Sequence, residues 1–208
     1  MIQIAVLNRD IPYDQLFKLM KDAFREREEQ GLNFGAVRAN FESFQSALKD
    51  KTIIVAKKIG DNQDEEIIGF QKISFQQNFM DCGLVAVSPQ YKRQGVGKLL
   101  FEKSKELAIA NHCDYMTANT ATGAKSSVKW HLKNGYRIVG LRSFFSKNYY
   151  SYIFRLQLKH HPLWSNGLYC YFRYLLSALK CRLCFHENGD FTMLMRLRIK
   201  FSEMLSGK

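Results

Sequence analysis

Acidic residues are nearly absent from the second half of this 208-residue chain. Residues 115–208 carry 15 Lys and Arg but only three Asp and Glu, whereas residues 1–114 carry 16 of each sign. The whole formal net charge of +12 therefore belongs to the second half. Such an uneven excess indicates an anionic partner: a phosphorylated cofactor, a membrane surface, a nucleic acid or an acidic substrate.

Other absences narrow the class of protein. No apolar run reaches the roughly 20 residues that span a bilayer, and Arg173 interrupts the nearest one, residues 167–179. The first residues run directly into charged ones, so no signal peptide is expected. Five cysteines at irregular spacing indicate free thiols in a reducing cytoplasm. We therefore expect a cytoplasmic protein, with peripheral contact to the inner face of the membrane left open.

Metal and nucleic-acid partners find little support. Cys181-x-x-Cys184 followed by His186 invites a metal or redox interpretation. However, no second Cys/His pair stands at the spacing of a zinc site, so we expect no metal. No nucleic-acid-reading motif is present, which makes nucleic acid the weaker anionic partner.

Hydrophobic periodicity predicts one layered domain over residues 1–158. The predicted order, β-α-α-β-β-β-α-β-α-β-β, mixes antiparallel meanders with a crossover helix. We therefore predict an α/β (α+β) fold with a single mixed, mostly antiparallel central sheet flanked by helices. The predicted strands are residues 2–6, 52–58, 67–75, 79–87, 114–120, 136–145 and 149–158, and the predicted helices are residues 13–30, 40–48, 95–111 and 125–134.

Residues 159–208 are predicted to form a separate basic extension, a helix plus a hairpin. Asn188-Gly189 is a strong hairpin signal, and residues 193–201 then alternate apolar and basic side chains as a strand does, although helical spacing also fits. Before the hairpin, six apolar side chains lie within about a third of a turn on a helical wheel: Leu168, Phe172, Leu175, Leu176, Leu179 and Leu183.

The most informative stretch is V-A-V-S-P-Q-Y-K-R-Q-G-V-G-K-L-L, residues 85–100. It reads as a strand, a short basic loop with glycines, and the start of an amphipathic helix. Glycines let the backbone approach a ligand closely, and the N–H groups of a first helical turn point at an anion. The helix dipole adds partial positive charge there. The stretch therefore predicts a phosphate-binding site.

This stretch resembles the acetyl-CoA-binding signature of the GCN5-related N-acetyltransferases, the GNAT superfamily. H-L-K-N-G-Y-R-I-V-G, residues 131–140, resembles that family's second marker, in which a helix ends and the sheet resumes. The two markers stand in the family's order and separation. The resemblance covers about residues 2–158 and implies a GNAT-like domain there, with acetyl-CoA as the acyl donor.

The resemblance also assigns the donor site. The backbone of residues 85–87 would pair with the pantetheine arm like an added strand, and the loop after it would cradle the pyrophosphate. Lys92 stands where the family usually has Gln or Arg, and it keeps a charge but loses bidentate geometry. Asn119 is a candidate polar contact to the cofactor arm. The implied cofactor-binding residues are Val85, Ala86, Val87, Lys92, Arg93, Gln94, Gly95, Val96, Gly97, Lys98 and Asn119.

The implied chemistry is direct attack of an amine on the thioester. A backbone N–H on residues 85–87 would polarise the carbonyl. His131 stands where the family usually has a tyrosine acid, and histidine can donate a proton near neutral pH. Tyr136, Tyr149, Tyr150 or a water molecule could donate the proton instead.

The general base is assigned to Asp81, which lies near the start of the cofactor strand. Glu28 and Glu29, near the end of the first long helix, are alternatives because the family shapes its acceptor pocket there. Without a catalytic role, Asp81 would be a solvated carboxylate at a strand end. Without one, His131 would be a half-exposed helix residue.

Two functions compete. The first is an N-acetyltransferase that moves an acetyl group from acetyl-CoA to a primary amine in a ternary complex, with the acceptor class open. The second is a non-catalytic protein that binds a membrane surface or an anionic polymer on a GNAT-like scaffold, because a basic amphipathic helix can lie on anionic lipid. A homodimer remains open in both.

Overall fold

The computed structural model describes residues 1–7, 9–29, 31, 35–60, 64–143, 149–185 and 192. These residues contain seven strands, six α-helices and one 3₁₀ turn at Pro89–Tyr91. The strands are β1 (Ile2–Leu7), β2 (Thr52–Ile59), β3 (Glu65–Phe75), β4 (Phe79–Val87), β5 (Tyr115–Ala121), β6 (Arg137–Ser143) and β7 (Tyr150–Gln157). The helices are α1 (Tyr13–Glu29), α2 (Gly35–Arg38), α3 (Phe41–Leu48), α4 (Val96–Ala110), α5 (Lys125–Lys133) and α6 (Gly167–Cys184).

The strands are hydrogen-bonded in the order β1-β2-β3-β4-β5-β7-β6. Strands β1 to β4 form an antiparallel meander, and β6 pairs with β7 as an antiparallel hairpin. The sheet is open and mixed, so the predicted fold class is confirmed. The short helix α2 lies between the predicted helices of residues 13–30 and 40–48 and was not predicted.

The chain divides into two compact units, Met1–Thr117 and Ala118–Lys208, with the division inside β5. The predicted boundary at residue 158 stays a prediction. Residues 146–148, which join the last two predicted strands, the hairpin at Asn188-Gly189 and the strand after it lie outside the described residues.

In the first unit, one face of the meander is covered by α1 and α3. Their apolar side chains surround Phe70 of β3, and Phe44 of α3 meets its ring edge-on at a centroid distance of 6.2 Å. Helix α3 begins cleanly because the Asn40 side chain accepts a hydrogen bond from the Ser43 N–H over 3.0 Å. The fully buried members of this cluster include Leu16, Met20, Leu48, Ile53, Val55 and Phe70.

Helix α4 covers the opposite face of the same strands, since neighbouring residues of a strand point to opposite sides. It approaches closely at Gly69, where an added Cβ would lie 2.9 Å from Cγ1 of Val96. Farther along, the buried Ser104 hydroxyl donates a 2.8 Å hydrogen bond to Oε1 of the buried Gln71. Packing and one buried polar contact therefore hold α4 on β3.

In the second unit, α6 packs on the hairpin through small residues. Ala178 and Cys181 lie against Leu141 of β6. The Ser177 hydroxyl donates to the Leu141 carbonyl (3.1 Å) and accepts from its N–H (3.0 Å). An added Cβ at Gly140 would lie 3.0 Å from Oγ of Ser177, so this glycine permits the close approach.

Among the described residues, no helix is both long and apolar enough to cross a membrane. None of the five cysteines, all of which are described, forms a disulfide.

We expect Ser104→Ala to destabilise the fold by about 1–3 kcal/mol, because it leaves the buried amide oxygen of Gln71 without its donor. Urea unfolding would measure the change. Ser46→Ala, at an exposed position of α3, is the matched control and should stay within about 0.5 kcal/mol of the parent. Equal effects of the two substitutions would show that the contact does not hold α4 in place.

Candidate active site

The loop between β4 and α4 turns through two left-handed residues. After the 3₁₀ turn at Pro89–Tyr91, Arg93 has φ +65° and Gly95 has φ +87°. Gly95 is the N-cap of α4, and glycine adopts this conformation without the steric cost of a Cβ. The local sequence therefore sets the direction in which the helix starts.

The N-terminus of α4 is open and free of negative charge. The N–H groups of Lys98 and Leu99 both bond to the Gly95 carbonyl, at 2.9 and 3.0 Å. Val96 and Gly97 are the first residues of the helix, where N–H groups have no intrahelical partner. The first turn has no acidic residue, and nothing lies within 4 Å of a Cβ built on Gly97. This arrangement suits an anion.

Exposed basic side chains lie around this terminus. Lys92 pairs with Glu26 of α1 at an Nζ–Oε2 distance of 2.9 Å. Their side chains are 40% and 66% exposed, and exposed pairs contribute little stability, so a phosphate could replace the carboxylate. Arg93 and Lys98 are also exposed. The loop and the first turn of α4 therefore present three cations, Lys92, Arg93 and Lys98.

Tyr91 holds the loop to the β2–β3 hairpin, a contact that the sequence did not reveal. Its hydroxyl donates to Oε2 of Glu66 over 2.8 Å and accepts from Nζ of Lys58 over 3.2 Å. The Lys58 ammonium also lies 5.3 Å from the Tyr91 ring centroid. These contacts cross between distant parts of the sequence, so periodicity could not have identified them.

Strand β4 contains a bulge just before the predicted cofactor segment. Val85 pairs with Gln71 and Cys82 pairs with Ile73, so two residues of β4 stand opposite Lys72 alone. A bulge leaves a backbone group outside the ladder and bends the strand, and bulges are common beside active sites. An unpaired N–H here could donate to an oxyanion.

Asp81 belongs to a polar cluster on β3, β4 and β5. Its Oδ1 accepts a 2.9 Å hydrogen bond from the Thr117 hydroxyl. The Lys72 side chain passes close to Gly83, where an added Cβ would lie 2.6 Å from Cε. Burial lowers the pKa of the Lys72 ammonium, the charge of Asp81 opposes this shift, and the nearby charge of Lys51 adds to it.

Lys72 and Thr117 were missed by the sequence analysis. One signal could have found Lys72, because it is the only charged residue of the predicted strand 67–75, which is otherwise mostly apolar. Thr117 carries no comparable signal, since a threonine is ordinary in a strand.

His131 lies near the end of α5, within an aromatic cluster of the second unit. Its Nδ1 is 2.8 Å from the Ser127 carbonyl, which can only accept, so Nδ1 carries the proton. The ring stacks on Phe154 with centroids 4.6 Å apart, and Trp130 and Tyr136 meet it edge-on. Neutral His131 therefore presents an unprotonated Nε2, and it can donate there only as an imidazolium.

The tyrosine alternatives to His131 are less suited to donate a proton. Burial raises the pKa of Tyr149 to about 12, which makes it a weaker acid than an ordinary phenol. The Tyr150 hydroxyl already donates to the Phe185 carbonyl over 2.9 Å. Tyr136 is buried, and its ring meets that of His131 edge-on.

The structure thus assembles the loop, β4 and Asp81 within the first unit. Asn119 and His131 belong to the second unit, where Asn119 is an exposed residue of β5. Glu28 and Glu29 are exposed at the end of α1. The predicted roles of these residues stay predictions.

Comparison with known proteins agrees with this geometry. Residues 13–136 match the family model of the Acetyltransferase (GNAT) family. Among solved structures, the ribosomal-protein-S18-alanine N-acetyltransferase from Escherichia coli superposes with a TM-score of 0.62 at 13% identity, over 77% of this chain and 96% of that one.

Two further structures share the fold. A GNAT family acetyltransferase from Elizabethkingia anophelis with acetyl-CoA bound gives a TM-score of 0.56 at 18% identity, over 76% of this chain and 98% of its own. Arabidopsis thaliana NAA60 in complex with a bisubstrate analogue gives 0.60 at 16% identity, over 76% and 100%.

Replacing Gly97 separates cofactor binding from folding. We expect Gly97→Leu to keep or raise stability, because the site is open and leucine is a better helix former by roughly 0.5–1 kcal/mol. The same side chain would fill the space where the pyrophosphate approaches, so acetyl-CoA affinity measured by calorimetry should fall at least tenfold. Gly97→Ala, which adds one methyl group, is the graded control. Unchanged affinity in the leucine variant would place the phosphates elsewhere.

The Lys72 environment predicts a pH dependence of stability. Because the pKa of Lys72 is lower in the folded chain than in the unfolded chain, the unfolded chain binds more protons between the two values, and stability rises with pH there. Lys72→Met removes this contribution. The free energy of unfolding of the parent, relative to this variant, should therefore increase from pH 7 to pH 9.5 in urea titrations. The exposed Lys129→Met serves as the control, and a difference independent of pH would contradict the prediction.

Proposed function

The chain belongs to the GNAT acetyltransferase family, and we propose that it transfers the acetyl group of acetyl-CoA to a primary amine by direct attack in a ternary complex. As a family member it is an acyl-CoA-dependent N-acyltransferase with acetyl-CoA as donor. One observation supports the proposal: strand β4 leads through the short basic loop directly into the open N-terminus of α4, an arrangement that suits a phosphorylated donor.

The donor site has a direction. With the pyrophosphate at the N-terminus of α4 and the pantetheine arm along residues 85–87, the thioester points towards the β4 bulge and Asp81. A backbone N–H released by the bulge would then polarise the thioester carbonyl, an interaction that typically contributes a few kcal/mol to transition-state stabilisation.

Asp81 is proposed as the general base that takes a proton from the ammonium group of the bound acceptor, and the neutral amine that results attacks the thioester carbonyl. The Thr117 hydroxyl orients its carboxylate through the 2.9 Å hydrogen bond. The Lys72 ammonium interacts electrostatically with the Asp81 carboxylate from the neighbouring strand. Thr117 and Lys72 thus act as positioning residues.

His131 is proposed as the acid that protonates the leaving thiolate. It lies in the last turn of α5, where the helix dipole favours a cation. The hydrogen bond from Nδ1 to the Ser127 carbonyl fixes the ring, so the second proton of the imidazolium is carried by Nε2.

The amine acceptor is proposed to enter a cleft of about 570 Å³ at the end of the first unit that holds Asp81. Its walls include Arg9, Asp10, Tyr13 and Lys51. Lys51 of this cleft lies close enough to the polar cluster around Asp81 for its charge to lower the pKa of Lys72. Both signs of charge line the cleft, so it suits an acceptor that carries an anionic group beside its amine. Among the structural relatives, one is named a ribosomal-protein-S18-alanine N-acetyltransferase and another, the NatC complex, is bound to a peptide, which makes a peptide amine one option beside small amines and amino sugars.

Asp81→Asn tests the base. A positioned general base contributes about 10²–10⁴-fold to the rate, so kcat should fall at least a hundredfold and the pH profile of kcat/KM should change shape. Acetyl-CoA affinity should stay within threefold of the parent value. Asp114→Asn, on the turn before β5, is the matched control. An unchanged rate and pH profile in Asp81→Asn would remove it from the mechanism while leaving the donor site standing.

A further inference from the structure

Helix α6 turns its apolar face away from the β6–β7 hairpin on which it packs. The predicted stripe of leucine and phenylalanine is exposed, with Leu168 at 77% and Leu179 at 59%. The residues that pack on the hairpin lie on the other side of the helix and are mostly small, including Ser177, Ala178 and Cys181. The exposed apolar residues of the helix are Leu168, Tyr171, Phe172, Leu175, Leu176, Leu179 and Leu183.

This orientation is the reverse of the usual one. A surface helix ordinarily buries its apolar stripe against the core and exposes its polar face. Contiguous exposed apolar surface of this kind marks an interaction site. The tight contact at Gly140 and Ser177 fixes the rotation of α6, so the stripe remains outward in the folded protein.

The charged residues of α6 itself are all positive. At 100° per residue, Arg173 and Lys180 fall along one border of the stripe and Arg182 falls along the other. All three are exposed, and α6 contains no Asp or Glu. The second half of the chain, to which α6 belongs, also holds the whole excess of +12.

We propose that α6 docks this protein on an anionic lipid surface, lying in the plane of the interface with the leucine stripe among the acyl chains. An apolar face bordered by Lys and Arg is the pattern of interfacial helices: the long cationic side chains reach the headgroups while their stems cover apolar surface. Each basic residue near an anionic surface adds an electrostatic attraction that weakens as the salt concentration rises.

Charge complementarity selects lipid over a second copy of the chain. Two α6 helices packed stripe to stripe would bring six cations together without a carboxylate from either helix to pair with them. An anionic bilayer offers both the apolar interior and the negative charge. The inference rests on α6 alone and is independent of the catalytic roles proposed above.

Vesicle co-sedimentation of the full chain tests the proposal. We expect binding to vesicles of phosphatidylcholine with 30% phosphatidylglycerol at low salt, with at least tenfold weaker binding to pure phosphatidylcholine and at 0.5 M NaCl. Leu175→Asp with Leu179→Asp should reduce binding at least tenfold. Ile109→Asp, which changes an apolar residue of α4 that is 56% exposed, is the matched control and should bind like the parent.

Two results would overturn the proposal. One is failure of the parent chain to sediment with the anionic vesicles at low salt, a result that needs no variant and no folding control. The other is a stable dimer in analytical ultracentrifugation that the double leucine variant dissociates, without vesicle binding, which would assign the stripe to a second copy. Acetyl transfer to a soluble amine in the absence of vesicles should be equal in the parent and the double variant, so the outcome is separate from that of the catalytic proposal.

Discussion

The close packing of α4 on β3 positions the chemistry of the first unit. Gly69 lets Val96 and Leu100 reach the strand, and the Ser104–Gln71 hydrogen bond fixes the helix farther along. Strand β4 pairs with β3, and α4, which packs on β3, begins at Val96, nine residues after β4 ends at Val87. Residues 88–95 bridge that short gap, and their left-handed positions at Arg93 and Gly95 aim the first turn. The position of the open helix N-terminus therefore follows from the packing of α4 on β3.

The two ends of β4 have different proposed roles. The end near the loop supplies backbone N–H groups and cations, which suit phosphate. The other end carries the bulge, Asp81 and its neighbours Lys72 and Thr117, which suit proton transfer. The positive excess of the chain belongs to neither end, since the first half is electrically balanced. The exposed cations along α6 give part of that excess a role.

Sequence patterns predicted the fold well where one physical signal dominated. The pattern of apolar residues predicted the observed bounds of β4, and helical periodicity predicted those of α4 to within one residue at each end. Both predictions succeeded because each element buries one face. Gly95 and the basic residues after Tyr91 predicted a loop that turns into the N-terminus of α4, and its role as the donor loop stays a proposal. The bulge opposite Lys72, the Tyr91–Glu66 contact and the Asp81–Thr117 hydrogen bond join strands that are distant in the sequence. The helical wheel predicted the apolar stripe on α6, but it could not predict which face of α6 packs on the β6–β7 hairpin. The face with Ser177 packs there because Gly140 leaves room for a close approach.

The central claim is that an amine attacks acetyl-CoA directly while both substrates are bound. Initial rates of thiol release, measured while acetyl-CoA and a primary amine from a panel of amine classes are varied together, test it most directly. A ternary complex predicts amine-dependent, saturable release with intersecting double-reciprocal lines. Parallel lines with an acetylated enzyme would indicate a covalent route, and thiol release that no amine accelerates would contradict acetyl transfer to an amine.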